Sequence, residues 1–162
     1  IRTGHKNLAG TFKSDDAQGP ERYLGVGCAM RDAGLFPLDE NFLWFSSFQR
    51  HQLVELQDEE LLRAFLRQQL GGCTAVVCYN DEIAFHLIRT LLRAGKRVPE
   101  DVAIVSFDNS YYSTFGPVSI TSAGHEPHAM GRAAAENLLT QIRRQPCQSV
   151  KLPWTLYQRQ SG

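Results

Sequence analysis

Two spacings of apolar residues take turns along this chain, one suited to strands and the other to helices. Short β-branched or aromatic runs read as strands at Lys6 to Phe12, Phe42 to Phe45, Ala75 to Cys78 and Ala103 to Val105. Between them lie stripes at spacings of three and four. Pro20 suits the first turn of a helix whose stripe includes Leu24 and Cys28, with Gly34 as its C-terminal cap. Asp58 is placed to cap a helix carrying Leu61, Leu62, Phe65, Leu66 and Leu70, which ends at Gly71 and Gly72. A third helix presents Ile83, Leu87 and Leu91 with Ala84, Ile88 and Leu92 beside them, and Gly95 stops it. Beyond a short extended run at Val118 to Thr121, a last helix is expected from about Pro127 to Arg143, striped by Met130, Ala134, Leu138 and Ile142. A terminal strand is expected over Ser149 to Tyr157. Strands alternating with helices in this order predict an α/β fold, a parallel sheet with right-handed crossovers and helices on both faces.

Composition narrows the functional classes. Lys plus Arg and Asp plus Glu balance at 17 each, a formal net charge of zero, and no clustered basic patch of the kind that reads nucleic acid is visible. Arg89, Arg93, Lys96 and Arg97 gather where a helix ends, as its dipole favours. The cysteines at 28, 73, 78 and 147 have no zinc-type spacing; Cys28 and Cys78 lie in apolar patterns, which predicts buried free thiols in a reducing compartment. No apolar stretch approaches the ~18 residues of a membrane span. The opening residues Ile1 to His5 read like the tail of an earlier helix, so the chain is expected to be a fragment of a longer protein.

Candidate chemistry sits where strands stop. Asn80-Asp81 and Asp108-Asn109 follow two apolar runs directly, and in open α/β sheets ligands bind at the carboxyl ends of the strands. These side chains suit gripping a small polar molecule, which suggests a sensor or carrier. Enzymatic scaffolds are missing: there is no GxSxG elbow, HExxH, P-loop, or GxGxxG after a strand. Gly25 and Gly27 fall inside a helix, where they would permit close approach to the sheet. His125 and His128 are three apart, but no cysteine or carboxylate cluster completes a metal site around them. No catalysis, cofactor or metal is expected.

Several segments also resemble a known family. Tyr79-Asn-Asp-Glu-Ile-Ala84, Arg93-Ala-Gly-Lys-Arg-Val-Pro-Glu-Asp-Val-Ala-Ile-Val-Ser-Phe-Asp-Asn109 and Met130-Gly-Arg-Ala-Ala-Ala135 resemble the effector-binding domain of LacI/GalR-type transcriptional regulators. Gly4-His-Lys-Asn-Leu-Ala-Gly10, Glu21-Arg-Tyr-Leu-Gly25 and a Leu-x-x-Arg tail at Leu156 to Arg159 extend the likeness over the whole chain in the family's order. Lys6 to Gly19 and the turn at His125 are similar to the arabinose-repressor branch. The resemblance implies a fold like the periplasmic sugar-binding proteins, with two lobes around a ligand cleft. Residues 1–121 would form the C-terminal lobe; residues 122–162 would cross the hinge and give a helix and a strand to the N-terminal lobe. Most of that lobe, and any DNA-binding domain, would lie outside this stretch.

By the same resemblance Arg22, Asn80, Asp108 and His125 match ligand-binding positions, carboxylate, amide and guanidinium groups being able to meet vicinal sugar hydroxyls in pairs. Each has a plainer reading. Asn80 or Asp81 would cap the helix that follows; Asp108 would order its loop through an Asx turn; Arg22 would pair with Asp15 or Asp16; His125 would simply start a helix. Phe107, Tyr79 and Trp44 are candidates for a stacking platform, with core packing the alternative for Trp44. The implied protein is a cytoplasmic repressor with a sugar effector, pentose or hexose, as its small-molecule partner. It would act as a homodimer through the outer side of residues 81–93 and the Tyr111 to Phe115 segment, and would reach operator DNA only through a domain not present here. The alternative is a sugar-binding transport protein of the same fold.

Overall fold

The computed structural model describes residues 4–162. Ile1 to Thr3, most of the expected helix tail, lie outside the described residues. Six strands, β1 (Leu8–Lys13), β2 (Phe42–Phe45), β3 (Ala75–Cys78), β4 (Ala103–Phe107), β5 (Thr121–Gly124) and β6 (Thr155–Tyr157), form one sheet in the order β2-β1-β3-β4-β5-β6. The first five are parallel, and β6 runs antiparallel along β5. Five helices join them: α1 (Gln18–Asp32), α2 (Ser47–Val54), α3 (Glu60–Gln68), α4 (Asp81–Arg93) and α5 (Pro127–Ile142). The chain steps from β1 outward to β2 and then back across to β3, so the crossover direction reverses between β1 and β3.

Strand alternation divides the core into two layers. Leu8, Phe12, Ala75 and Val77 face one way, against Tyr23, Val26 and Met30 of α1. Ala9, Val76, Cys78 and Ile104 face the other, against Leu53, Leu62, Phe65 and the inner stripe of α4. Leu87 and Leu91 are fully buried there, each contributing about 1.5–3 kcal/mol of apolar transfer. The buried Cys78 thiol, pushed up to about 12 by desolvation, behaves as a small apolar side chain.

The structure departs from the sequence expectations at several places. The fully buried residues of α1 are Gly19, Gly27 and Met30, with Tyr23 and Val26 packed beside them; Leu24 is 59% exposed and Cys28 is also exposed, so Cys28 is not a buried thiol. Rotation of this helix is set at its start, where a Cβ on Gly19 would stand 1.8 Å from the Lys13 carbonyl oxygen. Close approach therefore belongs to Gly19, whereas the Cβ positions of Gly25 and Gly27 meet no backbone. Helix α2 was not expected, although Ser46 and Gln49 form a reciprocal capping box at its start. The Val118 to Thr121 run is realised as a strand three residues later. In place of a strand over Ser149 to Tyr157, only Thr155–Tyr157 pairs, at the edge of the sheet.

Asp58 accepts from the Glu60 N–H at 3.0 Å as α3 begins, but the cap position itself falls one residue later, on Glu59. After β6 the chain turns back onto the sheet: Ser161 Oγ donates to the Ile104 carbonyl at 2.5 Å, and its own carbonyl accepts the Ile104 N–H at 2.7 Å. Helix α5 buries none of its residues against the described residues, and Met130, Leu138 and Ile142 stand open.

Gly19→Ala forces α1 away from β1 and is expected to lower stability by about 2–4 kcal/mol. Gly27→Ala, whose methyl meets only the far end of the Arg31 side chain at 3.6 Å, should be neutral or stabilising by up to about 1 kcal/mol. Urea denaturation of the two variants checks the contrast.

Candidate functional site

The carboxyl ends of β1, β3, β4 and β5 converge on one edge of the sheet, beside the reversal between β1 and β3. This is the location at which open α/β sheets bind ligands. An open cleft of about 710 Å³ lies there, within the usual range for small-molecule sites. Of the expected residues, Arg22, Asp108 and His125 all line it. Asn80 does not; its Oδ1 accepts the Ile83 N–H at 3.0 Å and caps α4.

Arg22 is the centre of the arrangement. It comes from the first turns of α1, and its Nη2 donates to Asp108 Oδ1 at 2.7 Å across 86 residues of sequence. Nη1 donates to the Tyr79 carbonyl. The guanidinium carbon lies 4.8 Å from the Tyr79 ring centre and 4.9 Å from that of Phe107, so the cation is held by two π faces as well as by an anion. Neither Asp15 nor Asp16 pairs with it, contrary to the plainer expectation. Asp15 instead accepts from the Ser47 N–H at 2.8 Å, at the start of α2. Asp16 accepts from the Tyr79 hydroxyl at 2.6 Å and the Gly19 N–H at 2.9 Å. Burial would raise its carboxyl, but those two donors hold it below the ordinary carboxylate value. The same contact, after burial, pushes the Tyr79 phenol well above its usual range, so Tyr79 stays a neutral donor to Asp16.

Asp108 sits in an unusual loop. Its φ is 95° and that of Asn109 is 50°, two consecutive left-handed residues of the types that tolerate that region best. The Asp108 N–H donates to the Ala123 carbonyl at 2.8 Å, and the Asn109 N–H donates to Ser122 Oγ at 2.9 Å. Gly124 makes room, since a Cβ there would lie 2.8 Å from that of Asn109. Behind the loop, the fully buried Asp81 carboxylate accepts from the Ser106 hydroxyl and the Ser110 N–H. Asp81 is thus not the helix cap it was expected to be; Asn80 is, and Asp81 ties α4 to the loop after β4. The Asp108 side chain remains 41% exposed, against 11% for Arg22, and among the described residues Oδ2 takes no hydrogen bond.

His125, after β5, has its Nδ1 2.9 Å from the Pro153 carbonyl. A carbonyl only accepts, so Nδ1 is assigned the proton, and in the corresponding neutral tautomer Nε2 is left as an acceptor. Its ring lies 4.1 Å from that of Trp154, which meets Phe107 edge-on at 6.2 Å. Trp154 also lines the cleft, and sequence reasoning missed it. It lies inside the expected terminal strand, between Pro153 and Thr155, where no pattern sets it apart. Of the platform candidates, Phe107 is in the cleft wall and Tyr79 lies beneath Arg22, while Trp44 packs on Tyr23 at 5.2 Å and Phe12 at 5.8 Å, away from the site. No group of three metal-ligating side chains occurs among the described residues.

Comparison with known proteins matches the chain to a family. The model of the periplasmic binding protein-like domain matches residues 1–162. The arabinose metabolism transcriptional repressor of Geobacillus stearothermophilus is 36% identical over 143 residues, covering 88% of this chain and 38% of the repressor. The HTH-type transcriptional regulator CelR of Thermobifida fusca is 31% identical over 153 residues, covering 94% of this chain and 43% of the regulator. A solved CelR–cellobiose complex superposes with a TM-score of 0.83 at 27% identity, over 100% of this chain and 48% of that one. The chain therefore spans less than half the length of these relatives. No described helix is long and apolar enough to cross a membrane.

Asp81→Ala leaves the Ser106 hydroxyl and the Ser110 amide without their acceptor. The expected loss is about 2–4 kcal/mol in chemical denaturation, with the loop at 108–110 exchanging its amide hydrogens faster.

Proposed function

This chain belongs to the periplasmic binding protein-like family, as an effector-binding domain of the LacI/GalR type, and from that membership we propose that it is the sensing half of a sugar-responsive transcriptional repressor. The observation that carries the reading is the Arg22–Asp108 pair, set on aromatic walls at the carboxyl edge of the sheet. A sugar offers vicinal hydroxyls, each donor and acceptor, on a ring with apolar C–H faces. Asp108 Oδ2 would accept from one hydroxyl while Arg22 donates to its neighbour, and His125 Nε2 would accept from a third. Phe107 and Trp154 would cover a C–H face. Asn80, whose cap uses its oxygen, would offer its amide protons at the margin. Nothing in this set supplies a nucleophile with its base, and the proposed role is binding without catalysis.

The rest of the site would come from an N-terminal lobe; residues 1–121 would form the C-terminal lobe, to whose sheet β6 and the tail at Ser161 return, and of residues 122–162 only the segment carrying α5 would reach across to the other lobe. The open apolar side of α5, with Met130, Leu138 and Ile142 exposed, is what such a lobe would cover. The names of the relatives extend the proposal to the whole protein: a cytoplasmic regulator whose separate domain binds operator DNA. The effector would bind one arrangement of the lobes better than another and shift operator affinity by that difference. Self-association would use the outer side of α4 and the adjoining loop. Tyr111 is 68% exposed and Phe115 56%, their rings stack at 4.9 Å, and Phe85 of α4 lies against Phe115 at 6.2 Å. An aromatic patch of this kind favours a protein partner.

Calorimetry of the full-length protein against pentoses, hexoses, cellobiose and purines tests the function. A saturable sugar signal is expected, abolished or weakened by about a hundredfold in Asp108→Ala and accompanied by a change in Trp154 fluorescence. A well-folded protein that binds no sugar overturns the reading. Tyr111→Asp should shift the sedimenting species from dimer to monomer, and an unchanged dimer refutes the proposed contact.

A further inference from the structure

Asp108 can serve a ligand only if its loop stays in the left-handed conformation that aims it beside Arg22. The backbone of that loop is anchored to β5, and the Asn109 side chain, which the Ser113 hydroxyl reaches only at 3.5 Å, is held chiefly by one cation from the far end of the chain. Arg159 Nη2 donates to Asn109 Oδ1 at 2.6 Å, and Nη1 donates to the Ile120 carbonyl at 2.7 Å. The backbone N–H of Arg159 donates to Thr121 Oγ1 at 2.9 Å, which places the guanidinium against the start of β5. The planar fork thus spans two neutral acceptors, one on each side of the loop. No carboxylate among the described residues forms an ion pair with Arg159, although its guanidinium lies over the Tyr157 ring at 5.6 Å. With two directed, charge-assisted hydrogen bonds and no ion pair, what the guanidinium fixes is geometry.

The placement within the chain adds a second link. Residues 153–159 supply Pro153, which accepts from His125, and Trp154 of the cleft wall, and end at Arg159. One short segment therefore holds two polar elements of the cleft, His125 directly and Asp108 through Asn109.

We propose that Arg159 is a positioning residue of the ligand site, holding Asn109, and through it the Asp108 carboxylate, in the binding orientation. This rests on the sugar-sensing reading for its affinity arm, and a ligand-free arm keeps the two separable. The full-length protein is compared with Arg159→Met, Asn109→Gly and the double variant, Gly being chosen because it adopts a positive φ without strain. The probes are L-arabinose, D-xylose, D-glucose and cellobiose by calorimetry, with amide hydrogen exchange over residues 108–111 in the absence of sugar. Arg159→Met is expected to weaken the best-bound sugar by about tenfold to a hundredfold while the melting temperature of the ligand-free protein changes little. Asn109→Gly should cost a similar factor, and the double variant no more than either alone, because both remove one link. Exchange at 108–111 should quicken in Arg159→Met while β3 and β4 keep their protection. Unchanged affinity in Arg159→Met, multiplicative losses in the double variant, or unchanged exchange at 108–111 would each overturn the proposal. Should the parent bind none of the four sugars, the sugar-sensing reading fails, and exchange alone decides the role of Arg159 in the loop.

Discussion

Five parallel strands must end on a common edge, and the arrangement at that edge follows from this constraint. Parallel pairing leaves the carboxyl termini of β1, β3, β4 and β5 side by side, so residues far apart in sequence are delivered to one place. Because the chain leaves β1 in one direction and reaches β3 from the other, α1 and α4 lie on opposite faces and their first turns diverge at that edge. The opening between them is the cleft. Gly19 sets how deeply the start of α1 sits against Lys13, and Arg22, one turn further on, is thereby placed within reach of both Tyr79 and Asp108. A seat for a helix and a site for a ligand thus depend on the same close contact.

Legibility in the sequence followed the agreement between local and long-range signals. The β3–α4–β4 unit was read to within two residues because propensity, period and end signals all favoured the same structure there. The face of α1 was misread because its rotation depends on one atom of missing side chain at Gly19, which no periodicity records. The α2 helix was overlooked although its Ser46 and Gln49 capping box was visible, since eight residues hold too few apolar positions to make a stripe. At the site, Arg22, Asp108 and His125 could be singled out by resemblance, but the bond between the first two spans 86 residues and no spacing rule reaches that far. Asn80 and Asp81 were confused for the smallest of reasons: the cap and the buried tie are neighbours, and only the strand geometry decides which side chain turns toward the helix and which toward Ser106. Trp154 was missed because its partners Phe107 and His125 are brought to it by the antiparallel return of β6 along β5, whereas the terminal strand was expected to belong to the other lobe.

Partial exposure is what makes the Arg22–Asp108 pair suited to binding rather than to stability. An ion pair of this kind at a solvent boundary contributes little to folding, about 0–1 kcal/mol, because water screens it and both groups give up hydration. Buried fully, it would have no capacity left for a ligand. Here the cation is fixed by two rings and a carbonyl while the anion keeps an oxygen facing the cleft. A polar ligand closing over the pair excludes water and lowers the local dielectric, so the contacts it makes strengthen as it binds. That strengthening is available only when a second surface completes the enclosure. Met130 of α5 and the open Trp154 ring border the cleft, so in the proposed sensor a covering surface would meet them, and closure, more than the pair by itself, would be the step that converts occupancy into a signal.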